Sequence, residues 1–254
     1  MQTLSGRTCV FAGATAGDGI ACVHALCAGG MNVVVTTHNA ERAKALVEEI
    51  RAAALPGICE AYFGGDDGPA EERTETYEEI ERRFGSVDVI ISNTGATGSA
   101  LSMEELTRDQ LVHNMDHLVG GAFAMMKAAL PCLRRSRAPR IILMTSVEGS
   151  RGGIHESFEN AVAKGAVRAL TLNAAARLAE ESITVNAVAK GAIPRIEGIR
   201  PGDADPADFL PQIPMHRLGS SEDLAGTICF LASEESAYLT GQIIALDGGY
   251  SLRG

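Results

Sequence analysis

The chain has 254 residues, of which 46% are hydrophobic, and this content is enough for one large domain with a buried core. Its 22 Lys and Arg against 32 Asp and Glu give a net charge of -10, which argues against nucleic acid or an anionic membrane surface as a partner, because both would repel the protein. A small-molecule substrate is the class of partner that remains.

The cysteines and the start of the chain bear on the cellular compartment. The six cysteines show no C-x-x-C pairing and mostly fall within apolar stretches, as reduced core residues do. The chain does not start with a basic segment followed by an apolar run, and it has no stretch of about 18 apolar residues that would span a bilayer. We therefore expect a cytoplasmic protein.

Short apolar runs alternate with helical patterns along nearly the whole chain, which is typical of a parallel sheet with helices on both faces. The predicted strands are Thr8–Ala12, Asn32–Thr36, Ile58–Phe63, Val87–Ser92, Arg140–Thr145, Ile183–Val188 and Ile243–Leu246. The predicted helices are Ala40–Ala54, Ala70–Phe84, Asp109–Arg135, Asn160–Glu181 and Ser221–Ser233. This order predicts an α/β fold with a doubly wound parallel sheet of about seven strands.

One segment interrupts the alternation. Residues Gly191–Met215 carry prolines at positions 194, 201, 206, 211 and 214 and have little apolar periodicity. A long irregular segment near the carboxyl edge of a sheet is either a mobile substrate lid or a surface loop without function.

A glycine-rich turn follows the first predicted strand, with glycines at positions 13, 17 and 19. Glycine allows a tight turn and lets backbone amides approach a pyrophosphate at the amino end of a helix, where the dipole favours anions. Three glycines alone are a weak signal, but their place between a strand and a helix strengthens it.

Further motifs follow along the chain: Asp66, Gly85-Ser-Val-Asp88, Ser92-Asn-Thr-Gly95, Ser146 with Lys164, Val185-Asn-Ala-Val188, Arg217-Leu-Gly219 and Asp247-Gly-Gly249. This ordered series resembles the short-chain dehydrogenase/reductase family over almost the whole chain. The resemblance implies one Rossmann-type domain over residues 1–254 with strand order 3-2-1-4-5-6-7. It also implies a homotetramer or homodimer in which the predicted helices 109–135 and 160–181 pair across an interface.

The resemblance further implies binding of NAD(P) by Gly13, Thr15, Gly17, Asp18, Gly19, Thr37, His38, Asp66, Asn93, Gly95, Lys164, Gly191 and Ile193. At the end of the second strand, an aspartate at Thr37 would bind the ribose 2′-hydroxyl of NAD, and none is present. Thr37 and His38, with Arg42, can instead bind the 2′-phosphate of NADP, so we expect NADP(H) rather than NAD(H). A surface turn that carries these residues by chance is the alternative to a phosphate site, and binding of no dinucleotide is a further alternative.

Two residues depart from the family pattern at the cofactor end. Asp18 stands where the family has an aliphatic residue, and Lys190 stands where it has a proline before Gly191. Asp18 is either an acid in the first turn of a helix or part of an altered pocket. We expect Lys190 to form an ion pair with Asp18, which would make both changes parts of one altered pocket.

The catalytic pattern of the family is incomplete. Ser146 and Lys164 stand at their matching positions, but Asn160 occupies the position of the tyrosine that gives or takes the proton. Leu118 occupies the position of the catalytic asparagine, whose main-chain carbonyl carries its role. Asn114, one helical turn earlier, either supplies the missing amide or is a solvated helix residue.

Another acid is needed if carbonyl reduction is retained. His155 is the best candidate because imidazole titrates near neutral pH, and Glu148, Glu156 and Glu159 lie in or beside the same loop. A surface histidine without a role is the alternative for His155. His113 and His117 have the i, i+4 spacing of metal ligands, but no further ligand is identifiable, and we predict no metal site.

Three functions follow from these residues. The first is an NADP(H)-linked oxidoreductase that acts on a small carbonyl or alcohol substrate and has an altered proton donor. The second is a non-redox lyase, isomerase, dehydratase or cyclase on the same scaffold, and the third is a catalytically silent binding subunit.

Overall fold

The computed structural model describes residues 4–63, 70–95, 101–151, 157–194 and 205–252. Its sheet contains seven parallel strands in the order β3-β2-β1-β4-β5-β6-β7, as the sequence predicted. The strands are β1 (Thr8–Ala12), β2 (Asn32–Thr37), β3 (Cys59–Phe63), β4 (Val89–Ser92), β5 (Arg140–Ser146), β6 (Thr184–Lys190) and β7 (Ile243–Leu246).

Eight α-helices flank the sheet within the described ranges. They are α1 (Asp18–Ala28), α2 (Ala40–Ala52), α3 (Ala70–Phe84), α4 (Arg108–Met115), α5 (Gly121–Leu133), α6 (Glu148–Arg151), α7 (Phe158–Leu178) and α8 (Ser221–Ala232). Strands β1 and β4 are buried along their whole length, because helices cover both faces of the sheet. One face packs against α1, α2 and α8, and the other packs against α3, α5 and α7.

The helix predicted over Asp109–Arg135 extends from Arg108 to Leu133, but it is not α-helical throughout. A π-helical turn, Asp116–Gly120, separates α4 from α5. Such a turn holds one more residue than a turn of α-helix and is frequently found at functional sites. Its position matters here because the turn faces the carboxyl ends of β1, β2 and β4 across a cavity.

The segment predicted as a lid is described in two parts, 191–194 and 205–215, and residues 195–204 lie outside the described ranges. A 3₁₀ helix, Pro206–Gln212, forms most of the second part. Phe209 packs edge-on against the ring of Tyr250 at 5.8 Å between centroids, and Ile213 is buried in the same small cluster. This cluster also contains Val147, directly after β5, so the segment lies over the ends of the central strands.

All six cysteines are buried and free, as predicted for core residues. Five of them, at positions 9, 22, 27, 59 and 229, lie in the core on the α1 side of the sheet, and Cys132 lies in the core on the other side. Burial raises the pKa of the Cys27 and Cys59 thiols to about 12 and that of Cys132 and Cys229 to about 11. Within the described residues, no helix is both long and apolar enough to cross a membrane.

The buried carboxylate of Asp88 joins three segments at the amino edge of the sheet. It accepts hydrogen bonds from the backbone amide of Thr8 at 2.9 Å and from the hydroxyls of Ser86 and Ser136, each at 2.6 Å. Asp88 is only 6% exposed and Thr8 is fully buried, so the Thr8 amide would lose its partner without replacement by bulk water.

We predict that Asp88→Ala lowers the free energy of unfolding by about 2–4 kcal/mol, because it leaves the buried Thr8 amide unsatisfied and removes two hydrogen bonds to a carboxylate. Urea denaturation followed by circular dichroism measures this change. Glu48→Ala is the matched control, since this carboxylate is exposed and its ion pair with Lys44, at 4.0 Å, is too long and too solvated to add much stability. Equal stability of the two variants would contradict the structural role of Asp88.

Candidate active site

The glycine turn between β1 and α1 is in close backbone contact with the end of β4. Gly13 has φ 74°, and a Cβ atom at this position would lie 2.3 Å from the carbonyl oxygen of Asn93. A Cβ atom on Gly19 would lie 2.8 Å from the Cα atom of Ala14. Side chains are therefore excluded at both positions, which explains why the sequence has glycine there.

The end of β2 lies beside this turn. The hydroxyls of Thr15 and Thr37 are 3.3 Å apart, and the Thr37 hydroxyl also accepts the amide of Asn39 at 3.1 Å. The Asn39 side chain caps α2 by accepting a hydrogen bond from the backbone amide of Arg42 at 2.9 Å. The predicted residues Gly13, Thr37, His38 and Gly95 line one cavity of about 440 Å³.

The predicted ion pair between Asp18 and Lys190 is confirmed. The Lys190 Nζ atom lies 2.7 Å from Asp18 Oδ2, with side chains 28% and 13% exposed. The Asn93 amide donates to Asp18 Oδ1 at 3.3 Å and to the carbonyl oxygen of Gly13 at 3.2 Å. The pair therefore connects the first turn of α1 to the end of β6, with Asn93 as a third member.

These residues fit a dinucleotide pyrophosphate. Gly17 precedes α1 with φ 57°, no side chain caps this helix end, and the turn carries no side chain at positions 13, 17 and 19. The Asp18 carboxylate is the unfavourable feature for an anion, but the Lys190 ammonium neutralises it at contact distance.

Two further predicted residues lie after β6. The amide of Gly191 donates to the carbonyl oxygen of Leu246 at 2.9 Å, and a Cβ atom on Gly191 would lie 2.7 Å from that of Asp247. Ile193 is partly buried and packs against the core on the α1 side of the sheet.

Ser146, Asn160 and Lys164 lie where the end of β5 meets α7. The Ser146 hydroxyl oxygen accepts the backbone amide of Glu148 at 3.2 Å. Lys164 is 8% exposed and donates to the carbonyl oxygens of Met144 at 3.2 Å and, at the end of β4, of Thr94 at 3.4 Å. Asn160 is also 8% exposed and precedes Lys164 by one turn of α7.

Of the two alternatives for Asn114, a solvated helix residue is wrong, since Asn114 is 1% exposed. It lies near the end of α4, on the side that packs against α7, and Leu118 is buried one turn later, inside the π-helical turn. The amide of Gly121 donates to the Leu118 carbonyl oxygen. The apparent polarity of α4 in the sequence hid this buried side.

Two of the candidate acids are buried rather than exposed to solvent. Glu148 is 5% exposed and accepts the phenol of Tyr250 at 3.1 Å, and Glu159 is 2% exposed. Burial, with the adjacent Glu148 carboxylate, raises the pKa of Tyr250, so this phenol keeps its proton at neutral pH. His155, Glu156 and Asp66 lie outside the described residues.

His113 and His117 line the same cavity as His38, from the opposite side. The sequence showed the spacing of His113 and His117 but not that they share a cavity with His38, because this depends on how the π-helical turn is placed relative to the end of β2. Among the described residues, no group of three or more His, Cys, Asp or Glu is arranged to hold a metal ion.

Comparison with known proteins gives consistent matches along the chain. A family model described as enoyl-(acyl carrier protein) reductase matches residues 13–251. The 3-oxoacyl-(acyl carrier protein) reductase FabG of Staphylococcus epidermidis is 35% identical over 247 residues, which cover 96% of this chain and 98% of that protein. Trans-4-hydroxycyclohexanecarboxylate dehydrogenase of Sinomonas cyclohexanicum is 31% identical over 252 residues, covering 96% and 92%.

Solved structures match over the same length. A short-chain type dehydrogenase/reductase from Mycobacterium ulcerans has a TM-score of 0.89 at 23% identity, over 98% of this chain and 91% of that one, and this likeness shows the fold alone. A short-chain dehydrogenase/reductase from Serratia marcescens has a TM-score of 0.85 at 26% identity, over 98% and 99%. Since the family model and the relatives above 30% identity extend over nearly the whole chain, the protein belongs to the short-chain dehydrogenase/reductase family.

Proposed function

We propose that the protein is an NADP(H)-dependent oxidoreductase that acts on a carbonyl or alcohol group of a small molecule and uses an altered proton donor. The observation that carries this proposal is the position of the Ser146 hydroxyl, which lies at the end of β5, accepts the Glu148 amide and keeps its own proton to donate. The named relatives are reductases and dehydrogenases, which supports redox chemistry over the non-redox alternatives.

A bound dinucleotide would supply the hydride from its reduced nicotinamide and would accept it in the reverse direction. Reduction of a carbonyl group places negative charge on its oxygen, which then needs a proton. The Ser146 hydroxyl stabilises the developing negative charge by a hydrogen bond to that oxygen. The Lys164 ammonium adds positive charge beside it, held by the carbonyl oxygens of Met144 and Thr94.

The proton cannot come from Asn160, because a carboxamide does not ionise in the neutral range. Asn160 instead helps to orient the substrate oxygen from the first turn of α7. His155 stays the proposed proton donor, since Glu148 is already bonded to the Tyr250 phenol inside the protein.

The expected preference for NADP(H) rests on the end of β2. This strand end carries Thr36, Thr37, His38 and Asn39 and therefore no carboxylate that would accept a ribose 2′-hydroxyl and repel a 2′-phosphate. Residues 191–215 are proposed to close over the substrate, supported by the packing of Phe209 and Ile213 above the ends of β5 and β6.

A homotetramer or homodimer is the proposed assembly. The helices that the family resemblance pairs across an interface carry exposed apolar side chains, at Val112 on α4, Phe123 on α5, and Phe158, Val162 and Leu172 on α7. A second copy of the chain would remove this apolar surface from water. The six buried thiols support a cytoplasmic location, because a reducing compartment keeps them free.

Binding of NADPH is the first test of the proposed function. We expect the purified protein to bind NADPH at least about tenfold more tightly than NADH, since the end of β2 lacks a carboxylate, and a tenfold ratio corresponds to about 1.4 kcal/mol. Fluorescence titration of the reduced nicotinamide measures both constants. If neither NADPH nor NADH binds, the proposed function is overturned. A tenfold preference for NADH would overturn the cofactor assignment alone.

Restoring the phenol tests the altered proton donor. Asn160→Tyr places a phenol one helical turn from the Lys164 ammonium, so NADPH-dependent reduction of a ketone panel should increase by about 10²- to 10⁴-fold relative to Asn160→Phe. The Phe variant fills the same space without an ionisable group and is the matched control. No gain in a folded Tyr variant that binds NADPH would show that the pocket serves non-redox chemistry.

The Asp18–Lys190 pair is tested by a double-mutant cycle on NADPH affinity. Lys190→Met should weaken binding by about tenfold, because the Asp18 carboxylate then stands unneutralised at the pyrophosphate end of α1. Asp18→Asn should leave affinity equal or stronger, and the double variant should bind more tightly than Lys190→Met alone. Calorimetry gives the four constants, and strictly additive effects would contradict the coupling.

A further inference from the structure

The cavity at the end of β2 is bounded on its other side by α4, the π-helical turn and α5. It has a volume of about 440 Å³ and lies between strand ends that supply Gly13, Thr37 and His38 and helical residues that include His113 and His117. Three histidines, from the end of β2, from α4 and from the π-helical turn, therefore line one cavity.

Among the described residues that line this cavity, the three histidines are the only bases. None of the described residues that line it is Lys or Arg, so an anionic group inside must be met by imidazole N–H groups and hydroxyls. The Thr37 hydroxyl stands next to His38 at the strand end. Two imidazoles one turn apart on the helical side add donors that the strand end alone lacks.

Asp116 is the one carboxylate among the described lining residues. Its side chain folds back over its own turn, because a Cβ atom on Gly120 would lie 2.7 Å from Asp116 Oδ1. The π-helical turn begins at Asp116, and Gly120 provides the space for this carboxylate. Among the described lining residues, this carboxylate is the only group that opposes a negative charge in the cavity, and it lies against the backbone.

We propose that His113 and His117 form, with His38, a specificity-determining set that binds a phosphate monoester on the ribose of the adenosine half of the dinucleotide. This inference rests on the proposed function, since it places the adenosine half of the dinucleotide in this cavity. It assigns the choice of NADP(H) to residues of α4 and the π-helical turn as well as to the end of β2. Each imidazole donates one N–H to a phosphate oxygen, and the 2′-hydroxyl of an unphosphorylated ribose offers no comparable acceptor.

The test compares two fragments that carry no nicotinamide, adenosine 2′,5′-bisphosphate and adenosine 5′-monophosphate, by isothermal titration calorimetry. We expect the parent protein to bind the bisphosphate at least about tenfold more tightly. The double variant His113→Asn, His117→Asn should lose most of this ratio while its affinity for the monophosphate changes by less than about twofold. Asp116→Asn should raise the ratio, because it removes the opposing charge.

His24→Asn is the matched control, because its imidazole bonds to Glu49 at 2.8 Å on the outer surface and should leave both affinities unchanged. An unchanged ratio in the double histidine variant would overturn the proposal, as would an equal loss for both fragments, which would show contact with adenine or ribose. Equal affinity of the parent for both fragments would also overturn it while leaving an NAD(H) enzyme. Failure of the parent to bind either fragment would instead overturn the proposed function itself.

Discussion

The close contact between the glycine turn and the end of β4 determines the geometry of the candidate site. Gly13 has no side chain that would overlap the carbonyl oxygen of Asn93, so the first turn of α1 can lie close to the end of β4. At this distance the Asn93 side-chain amide donates hydrogen bonds to both Gly13 and Asp18. Ser146 and Lys190, paired in register on β5 and β6, lie at the same edge of the sheet. Parallel strands bring all their carboxyl ends to this edge, so small residues at one strand end position polar residues at several others.

This contact also explains why two charged residues are tolerated where the family has apolar ones. Asp18 lies at the first position of α1, where the helix dipole favours an acid, and it is the position that a bound pyrophosphate also approaches. Lys190 reaches it from the end of β6, so the two charges cancel locally. The site therefore keeps its overall charge balance while gaining a polar link between two strand ends.

The sequence was sufficient to predict the sheet, because buried parallel strands appear as apolar runs whose order follows from the family pattern. It was insufficient for the segment 109–135, since hydrophobic periodicity does not reveal a single wide turn such as Asp116–Gly120. The burial of Asn114 was missed for a related reason, because α4 has few apolar residues and its inner side is defined by α7. The Asp18–Lys190 pair was predictable because both residues depart from the family pattern, whereas the common cavity of His38, His113 and His117 requires the three-dimensional packing.

The buried thiols are divided unequally between the two sides of the sheet, and this division allows local opening of the native protein to be followed on each side. Cys132 alone belongs to the layer formed by α3, α5 and α7, while the other five cysteines belong to the α1 layer. A buried thiol with a raised pKa reacts slowly, so alkylation depends on opening of the layer that covers it. The rate at which each thiol is alkylated therefore reports the opening of one helical layer separately from the other. The protein thus carries intrinsic probes that distinguish motion on the two sides of its sheet without any added label.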